Sequence, residues 1–396
     1  MRGIPFEFIL VCSLVIDVVV VACVFRAPWR NASFPRRPVG LGRAMGAALA
    51  LGMVFVLKIP FSRIAGVDAF GMLNLIYVDL AILVPGTGAA LLVSSWATRR
   101  SHVRLRLTRP LSMVCLVSLL ALPVGVFASF VEPSRLQEIH ADVRVAESRN
   151  AQPPLKVGVL ADIQTDRVCE HDHTAIARLM TSKPELILIA GDLFQGSRDE
   201  FEREMPAIRE LLTPLDAPGG VYFVMGDVDW WREDQVRRAL DGTHVTPLVN
   251  EIARVQVGSR TATIAGVELR YDSPEAKRVI RELETAPGED DLRILLAHRP
   301  DVGFEVQRDS RIDLIVAGHT HGGQVCVPFI GPLITLSDVP REVAAGGLHR
   351  MSGNQVYVTR GVGHERGQAP RIRFLCPPEY SILTISSRPA AIAANR

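Results

Sequence analysis

Gly318-His319-Thr320-His321-Gly322-Gly323-Gln324 follows directly on the largely apolar run 312–317, which reads as a buried strand. Two histidines at i and i+2, where a strand gives way to a glycine-rich turn, can both face one side of the strand end. Their imidazoles can then reach one ion or two adjacent ions. The glycines around them let the backbone turn tightly. A histidine satisfied inside the core is the ordinary alternative, and the pairing at a strand end argues against it.

Working outward, the same arrangement recurs upstream. After 159–161 come Asp162-Ile163-Gln164, and after 188–190 come Gly191-Asp192. After 223–225 come Gly226-Asp227-Val228-Asp229, and after 295–297 comes His298. Ligands of open α/β sheets gather at the carboxyl ends of strands, so these ends bring Asp and His to one place. Carboxylate and imidazole together suit divalent Mn, Fe or Zn. Two such ions roughly 4 Å apart can bind phosphate oxygens and hold a hydroxide for in-line attack. Asp192 can bridge them.

Between these ends the pattern alternates. Strands are expected at 155–161, 186–190, 221–225, 254–257, 261–269, 293–297, 312–317, 355–359, 372–375 and 381–385. Helices are expected at 172–182, 199–212, 233–240 and 274–286. This is an α/β domain with a buried sheet and a second sheet packed on it.

The first third differs. Four segments, 6–25, 44–59, 69–93 and 111–131, approach or exceed the roughly 20 apolar residues that a bilayer-spanning helix needs. A cleaved signal peptide would account for the first of them alone. Arg26, Arg30, Arg36, Arg37 and Arg43 follow the first segment, and Arg99, Arg100, Arg104, Arg106 and Arg109 the third. Only Lys58, Arg63 and Asp68 follow the second, and only Arg2 precedes the first. The positive-inside rule puts the first and third connections in the cytoplasm. A multi-pass protein of the cell (inner) membrane is expected, with everything after residue 131 extracytoplasmic. Asp17 and Asp79 fall within spans, and pairing with a neighbouring helix is the simplest account of them.

Residues 132–154 read as a linker whose alternating part, 139–145, can be an edge strand, closed by a turn at Pro153-Pro154. A net charge of +2 over 396 residues argues against a nucleic-acid or acidic partner. The six cysteines show no paired spacing.

Residues 155–386 resemble the calcineurin-like metallophosphoesterases. The likeness is to the bacterial membrane-associated branch that carries GHTHGGQ followed by Pro328-Phe329-Ile330-Gly331-Pro332. Tyr357-Val358-Thr359-Arg360-Gly361-Val362-Gly363 and Pro377-Pro378-Glu379 are also typical of that branch. The resemblance implies a four-layer αββα sandwich with a dinuclear metal site between its sheets. The chain then divides into a membrane domain of transmembrane α-helices (1–131), the linker, the metallophosphoesterase domain (155–386) and a tail (387–396).

The family pattern is Asp-x-His, Gly-Asp, Gly-Asn-His-(Asp/Glu), His and Gly-His-x-His. Carried over, Asp162, Asp192 and His321 hold a first ion, and Asp192, Asp227, His298 and His319 a second. Gln164 stands where the family has a histidine ligand and can offer its amide oxygen. Asp227 stands for asparagine, and Val228 for the histidine that assists catalysis. Asp229 and His173 are the remaining candidates for proton transfer; Asp166 and His171 lie with His173 after the first motif, and His364 and Glu365, in a Gly-flanked loop after the Tyr357 strand, can also face the cleft. The expected activity is metal-dependent hydrolysis of a phosphate ester or pyrophosphate, of a lipid-linked substrate at the membrane surface. The alternative is a protein that binds metal and phosphate without turnover.

Overall fold

The computed structural model describes residues 5–26, 38–100, 105–146, 154–258, 260–288 and 291–386. Arg2, Arg30, Arg36, Arg37, Arg104, Pro153 and the tail lie outside the described residues. The chain forms two compact units, 1–129 with 368–371, and 130–367 with 372–396.

Among the described residues, four helical stretches are long and apolar enough to cross a membrane: Phe6–Phe25, Leu41–Ile64 and Ala69–Arg100 in the first unit, and Arg109–Ser134, which begins in it and ends in the second. The second runs further than hydropathy suggests, because Lys58 and Arg63 lie inside it rather than in a connection. Lys58 Nζ stands 2.5 Å from Asp17 Oδ2 and donates to Ser13 Oγ at 2.8 Å. Paired this way, neither charge interrupts its helix. The third span contains a π-helical turn at Asp79–Leu83, ahead of Pro85.

The second unit is an α/β sandwich. Its strands are β1 (Gln137–Arg144), β2 (Leu155–Leu160), β3 (Leu186–Ile189), β4 (Val221–Phe223), β5 (Val245–Pro247), β6 (Glu251–Val257), β7 (Arg260–Gly266), β8 (Leu292–Leu296), β9 (Leu314–Ala317), β10 (Cys326–Val327), β11 (Gly331–Pro332), β12 (Gly347–Met351), β13 (Asn354–Val358) and β14 (Glu379–Ser386). One sheet runs β1-β14-β2-β3-β4-β5, the other β12-β13-β9-β8-β7-β6. β2, β3 and β4 are parallel neighbours in the first, as β7, β8, β9 and β13 are in the second. Strands covered on both faces read as continuous apolar runs, and Leu186–Ile189, Leu292–Leu296 and Leu314–Ala317 are buried at every residue.

Val157, Val159 and Leu188 of the first sheet, with Val224 just past β4, pack against Ile264, Ile294, Leu296 and Val316 of the second. Helices Glu170–Thr181, Arg198–Leu212 and Glu233–Leu240 cover the first sheet's other face. Pro274–Thr285 covers that of the second. Their starts follow local rules. Ser197 accepts from the Glu200 N–H while Glu200 reaches back to the Ser197 N–H, a capping box. Ser273 caps a helix whose first residue is Pro274.

The edge strand expected at 139–145 is present as β1. The strand expected at 372–375 is absent, with only a single bridge from Phe374 to Val325 in its place. β5 and β12 escape the pattern because Pro247 ends one, and Gly347, His349 and Arg350 break the apolar alternation of the other.

Candidate metal centre

Five loops leave the carboxyl ends of β2, β3, β4, β8 and β9. Their donor atoms form two overlapping groups, Asp227 with His298 and His319, and Asp162 with Asp192 and His298. Within each group the donor atoms lie within 4.8 Å of one another.

The backbone makes this convergence by an unusual device. Asp162, Gln164, Asp192, His319 and His321 all have positive φ, at 48°, 43°, 59°, 71° and 48°. L residues rarely adopt that region, and such strain persists where surrounding structure enforces it. Here the Asp162 N–H donates to the Gly191 carbonyl and the Gln164 N–H to the Asp192 carbonyl, both at 2.8 Å. The His319 N–H donates to the Asp162 carboxylate at 3.1 Å. Gly226 is required for space: a Cβ there would stand 2.1 Å from Asp192 Oδ1.

Asp229, a candidate for proton transfer in the sequence, has both carboxylate oxygens engaged by backbone N–H groups. Its Oδ2 accepts from the N–H groups of Asp192 at 2.7 Å and Gly226 at 3.0 Å, and its Oδ1 from Leu193 at 3.1 Å. Fully buried, with both oxygens engaged, it clamps the Asp192 loop to the Asp227 loop. It is a positioning residue. His173 is exposed on the helix Glu170–Thr181, whose buried face is Asp172, Ala175, Ile176 and Leu179, and it belongs to neither donor group. Its neighbours are also committed elsewhere, His171 to the Val362 carbonyl at 3.0 Å and Asp166 to Arg366 at 2.6 Å.

Both histidines of the first group are oriented by backbone carbonyls. His298 Nδ1 meets the Ala190 carbonyl at 2.7 Å, and His319 Nε2 that of Leu336 at 3.0 Å. A nitrogen bonded to a carbonyl carries a proton, so His298 Nε2 and His319 Nδ1 are the nitrogens that face the centre, where each would offer a lone pair to an ion that displaces its proton. His319 Nδ1 is 2.6 Å, and His298 Nε2 3.2 Å, from Asp227 Oδ2.

Burial drives the electrostatics. It raises the Asp162 carboxyl to about 6 against the opposing pull of His298 and His319. It also lifts Asp192 well above the usual carboxylate range, with Asp229, Asp162 and Asp227 adding to the rise. For Asp227 burial is outweighed by the His298 and His319 rings that face its carboxylate, and the group stays ionised. Burial disfavours the His298 cation, but the surrounding carboxylates overcome it and push the ring up to about 10.

The fit of a cation can be judged from the buried polar atoms that face the centre. His298 Nε2 and Gln164 Oε1 are both buried without a hydrogen-bond partner among the described residues. Unpaired buried polar atoms are costly, and two beside three carboxylates describe a site built for a divalent ion. Gln164 keeps its amide donor on Glu365 Oε2 at 3.4 Å, so its oxygen is the end left open. His321 lies outside both groups; burial, then Arg373, hold its ring neutral, as a ligand must be. Val228 is buried, and its N–H donates to Asp192 Oδ1 at 2.9 Å.

Sequence reasoning missed Arg299 and Arg373, and it named Glu365 without a partner. Arg299 pairs with Asp227 through its guanidinium, and the only signal for it is its place directly after His298. Glu365 is held by Gln195 Nε2 at 2.7 Å as well as by Gln164. Arg373, fully buried, donates to the carbonyls of Gly363 at 2.9 Å and Arg360 at 2.7 Å, locking the loop that packs on Asp162. Its apolar sequence surroundings give no hint of that.

A family model described as calcineurin-like phosphoesterase matches residues 155–323. The chain is 30% identical over 250 residues to phosphodiesterase YaeI of Escherichia coli K12, covering 61% of this chain and 86% of that one. It is 26% identical over 267 residues to the uncharacterised metallophosphoesterase YkuE of Bacillus subtilis, covering 66% and 89%. Among solved structures, NAD nucleotidase NadN of Haemophilus influenzae aligns at 14% identity and a TM-score of 0.38, over 55% of this chain and 46% of that one.

Proposed function

This chain belongs to the calcineurin-like phosphoesterase family, and on that premise we propose that it is a membrane-anchored, metal-dependent phosphoesterase of the GHTHGGQ branch. The family uses divalent metals on phosphoesters, which favours hydrolysis over binding without turnover. The observation that carries the reading is the pair of overlapping donor groups with two buried donor atoms left unbonded. In this reading Asp192, Asp227, His298 and His319 hold one ion, and Asp162, Gln164, Asp192 and His321 hold another, of Mn, Fe or Zn.

When bound, such ions neutralise phosphate oxygens and acidify water. The chain's own residues do the rest. Asp229 fixes the loops, and the Ala190 and Leu336 carbonyls fix the two imidazoles. Arg299, partly exposed beside Asp227, supplies a cation for a phosphate oxygen. Val228 offers the leaving group no proton. Loss of a general acid costs about 10²–10⁴-fold for a poor leaving group and far less for a good one. That favours a pyrophosphate or similarly activated ester. The four apolar spans support a lipid-linked substrate, and the loop arginines support an extracytoplasmic domain.

The test uses the full chain in nanodiscs, with Mn²⁺ and bis(p-nitrophenyl) phosphate. Turnover that is lost with chelator and in Asp192→Asn is expected. Stoichiometric metal without turnover on any phosphodiester or pyrophosphate would overturn the reading.

A further inference from the structure

The segment that follows the ligand loop is apolar and exposed. β10 and β11 pair Cys326 with Pro332 and Val327 with Gly331, leaving Pro328-Phe329-Ile330 at the tip. Phe329 is fully exposed, and Ile330, Leu333, Ile334 and Leu336 are each exposed over about half their surface. Soluble surfaces scatter such residues singly, whereas a contiguous set marks a surface that something covers. Two of the five, Phe329 and Leu336, have φ of 67° and 52°, a conformation in which glycine or asparagine would be expected. Strained backbone that holds large apolar side chains outward is kept for what those side chains do.

Both ends of the segment are fastened to the metal loop. Cys326 Sγ donates to the Gly322 carbonyl at 3.4 Å, and the Leu336 carbonyl receives His319 Nε2 at 3.0 Å. The same polypeptide carries four candidate membrane spans. The last ends at Ser134 and β1 begins at Gln137, so the sandwich is tethered to the spans by a short stretch of chain.

We propose that the 327–336 hairpin dips into the bilayer surface, with Phe329 as an interfacial aromatic anchor, and so presents the metal centre to phosphates at headgroup level. This rests on the reading that the chain is membrane-anchored.

The experiment replaces single residues with p-benzoylphenylalanine in the full chain, reconstituted in phosphatidylethanolamine–phosphatidylglycerol nanodiscs, and identifies photo-adducts by mass spectrometry. Phe329 and Leu333 are the test positions. Met53, exposed on the second span, reports anchoring, and Glu210, exposed on an outer helix of the sandwich, reports background. Lipid adducts at Phe329 and Leu333 approaching the yield at Met53, and at least tenfold above Glu210, are expected. Adducts at Met53 with none above background at Phe329 and Leu333 overturn the hairpin proposal while leaving anchoring intact. Cross-links from Phe329 to a second copy overturn it in favour of a dimer contact. No lipid adducts at Met53 overturn anchoring, and the proposal with it. No outcome depends on turnover.

Discussion

Gly226→Ala tests the geometry with a single methyl group. The added Cβ would stand 2.1 Å from Asp192 Oδ1 and 2.5 Å from the Asp192 backbone nitrogen. Real Cβ atoms essentially never approach another heavy atom within 3.0 Å, so the carboxylate must retreat by about 1 Å. A change of rotamer could relieve the oxygen but not the backbone nitrogen, so the whole Asp192 loop has to move. That movement breaks the 2.9 Å bond from the Val228 N–H to Asp192 Oδ1. A buried donor left unsatisfied costs about 1–3 kcal/mol, and a 1 Å displacement at a reacting centre costs about 10²-fold in rate. The expected result is a fold that melts a few degrees lower with unchanged far-UV circular dichroism. Metal affinity should fall at least tenfold, and turnover of bis(p-nitrophenyl) phosphate about 10²-fold. Full metal occupancy with turnover within threefold of the parent would refute the claim that Asp192 is held against Gly226 as a ligand.

Asp229→Asn removes one of two acceptor oxygens that serve three backbone N–H groups, so melting temperature and kcat/KM should fall together while the pH–rate midpoint stays put; a moved midpoint would make Asp229 a proton carrier after all. Burial raises Asp162 to about 6, so below that pH an incoming ion must displace its proton; metal affinity by calorimetry should be at least tenfold higher at pH 7.5 than at pH 5.5, and equal affinities would contradict it. Val228→His restores a proton donor and should raise turnover of alkyl phosphodiesters by about 10²-fold with much less effect on nitrophenyl esters, whereas a uniform effect would point to altered metal binding. Lys58→Met leaves Asp17 unpaired and should destabilise the full chain by roughly 3 kcal/mol in nanodiscs, with Asp17→Asn added in the double variant recovering most of it.

The convergence of Asp162, Asp192, Asp227, His298 and His319 was legible because each sits one or two residues past a short apolar run, and the runs are strands that end side by side. The frame of the sheets followed from the same runs. Strand lengths were overread by a residue or two at Ala161, Ala190 and Met225, because these small or apolar residues already belong to the loops that carry the ligands. Spacing could not show which side chains have spare valence. Asp229 and Asp227 look alike in the sequence, yet one spends both oxygens on backbone N–H groups and the other faces two imidazoles. His173 is likewise near in sequence and far in orientation, since the helix register turns it outward.

The departure at Val228 illustrates how the two levels combine. Read as a letter, it replaces the family's catalytic histidine and puts the whole centre in doubt. In the fold, the residue's structural duty belongs to its backbone, whose N–H holds Asp192 Oδ1 at 2.9 Å whatever the side chain is. Asp229, one residue on, secures the same loop from the other side. On the proposed reading the substitution removes a proton source and leaves both donor groups standing. Gln164 follows the same logic: its amide nitrogen is held by Glu365 and its oxygen is left open, so an imidazole nitrogen has been exchanged for a harder oxygen donor. On the proposed reading both changes alter which bond can be broken and which ion can be held. Neither dismantles the place where that happens.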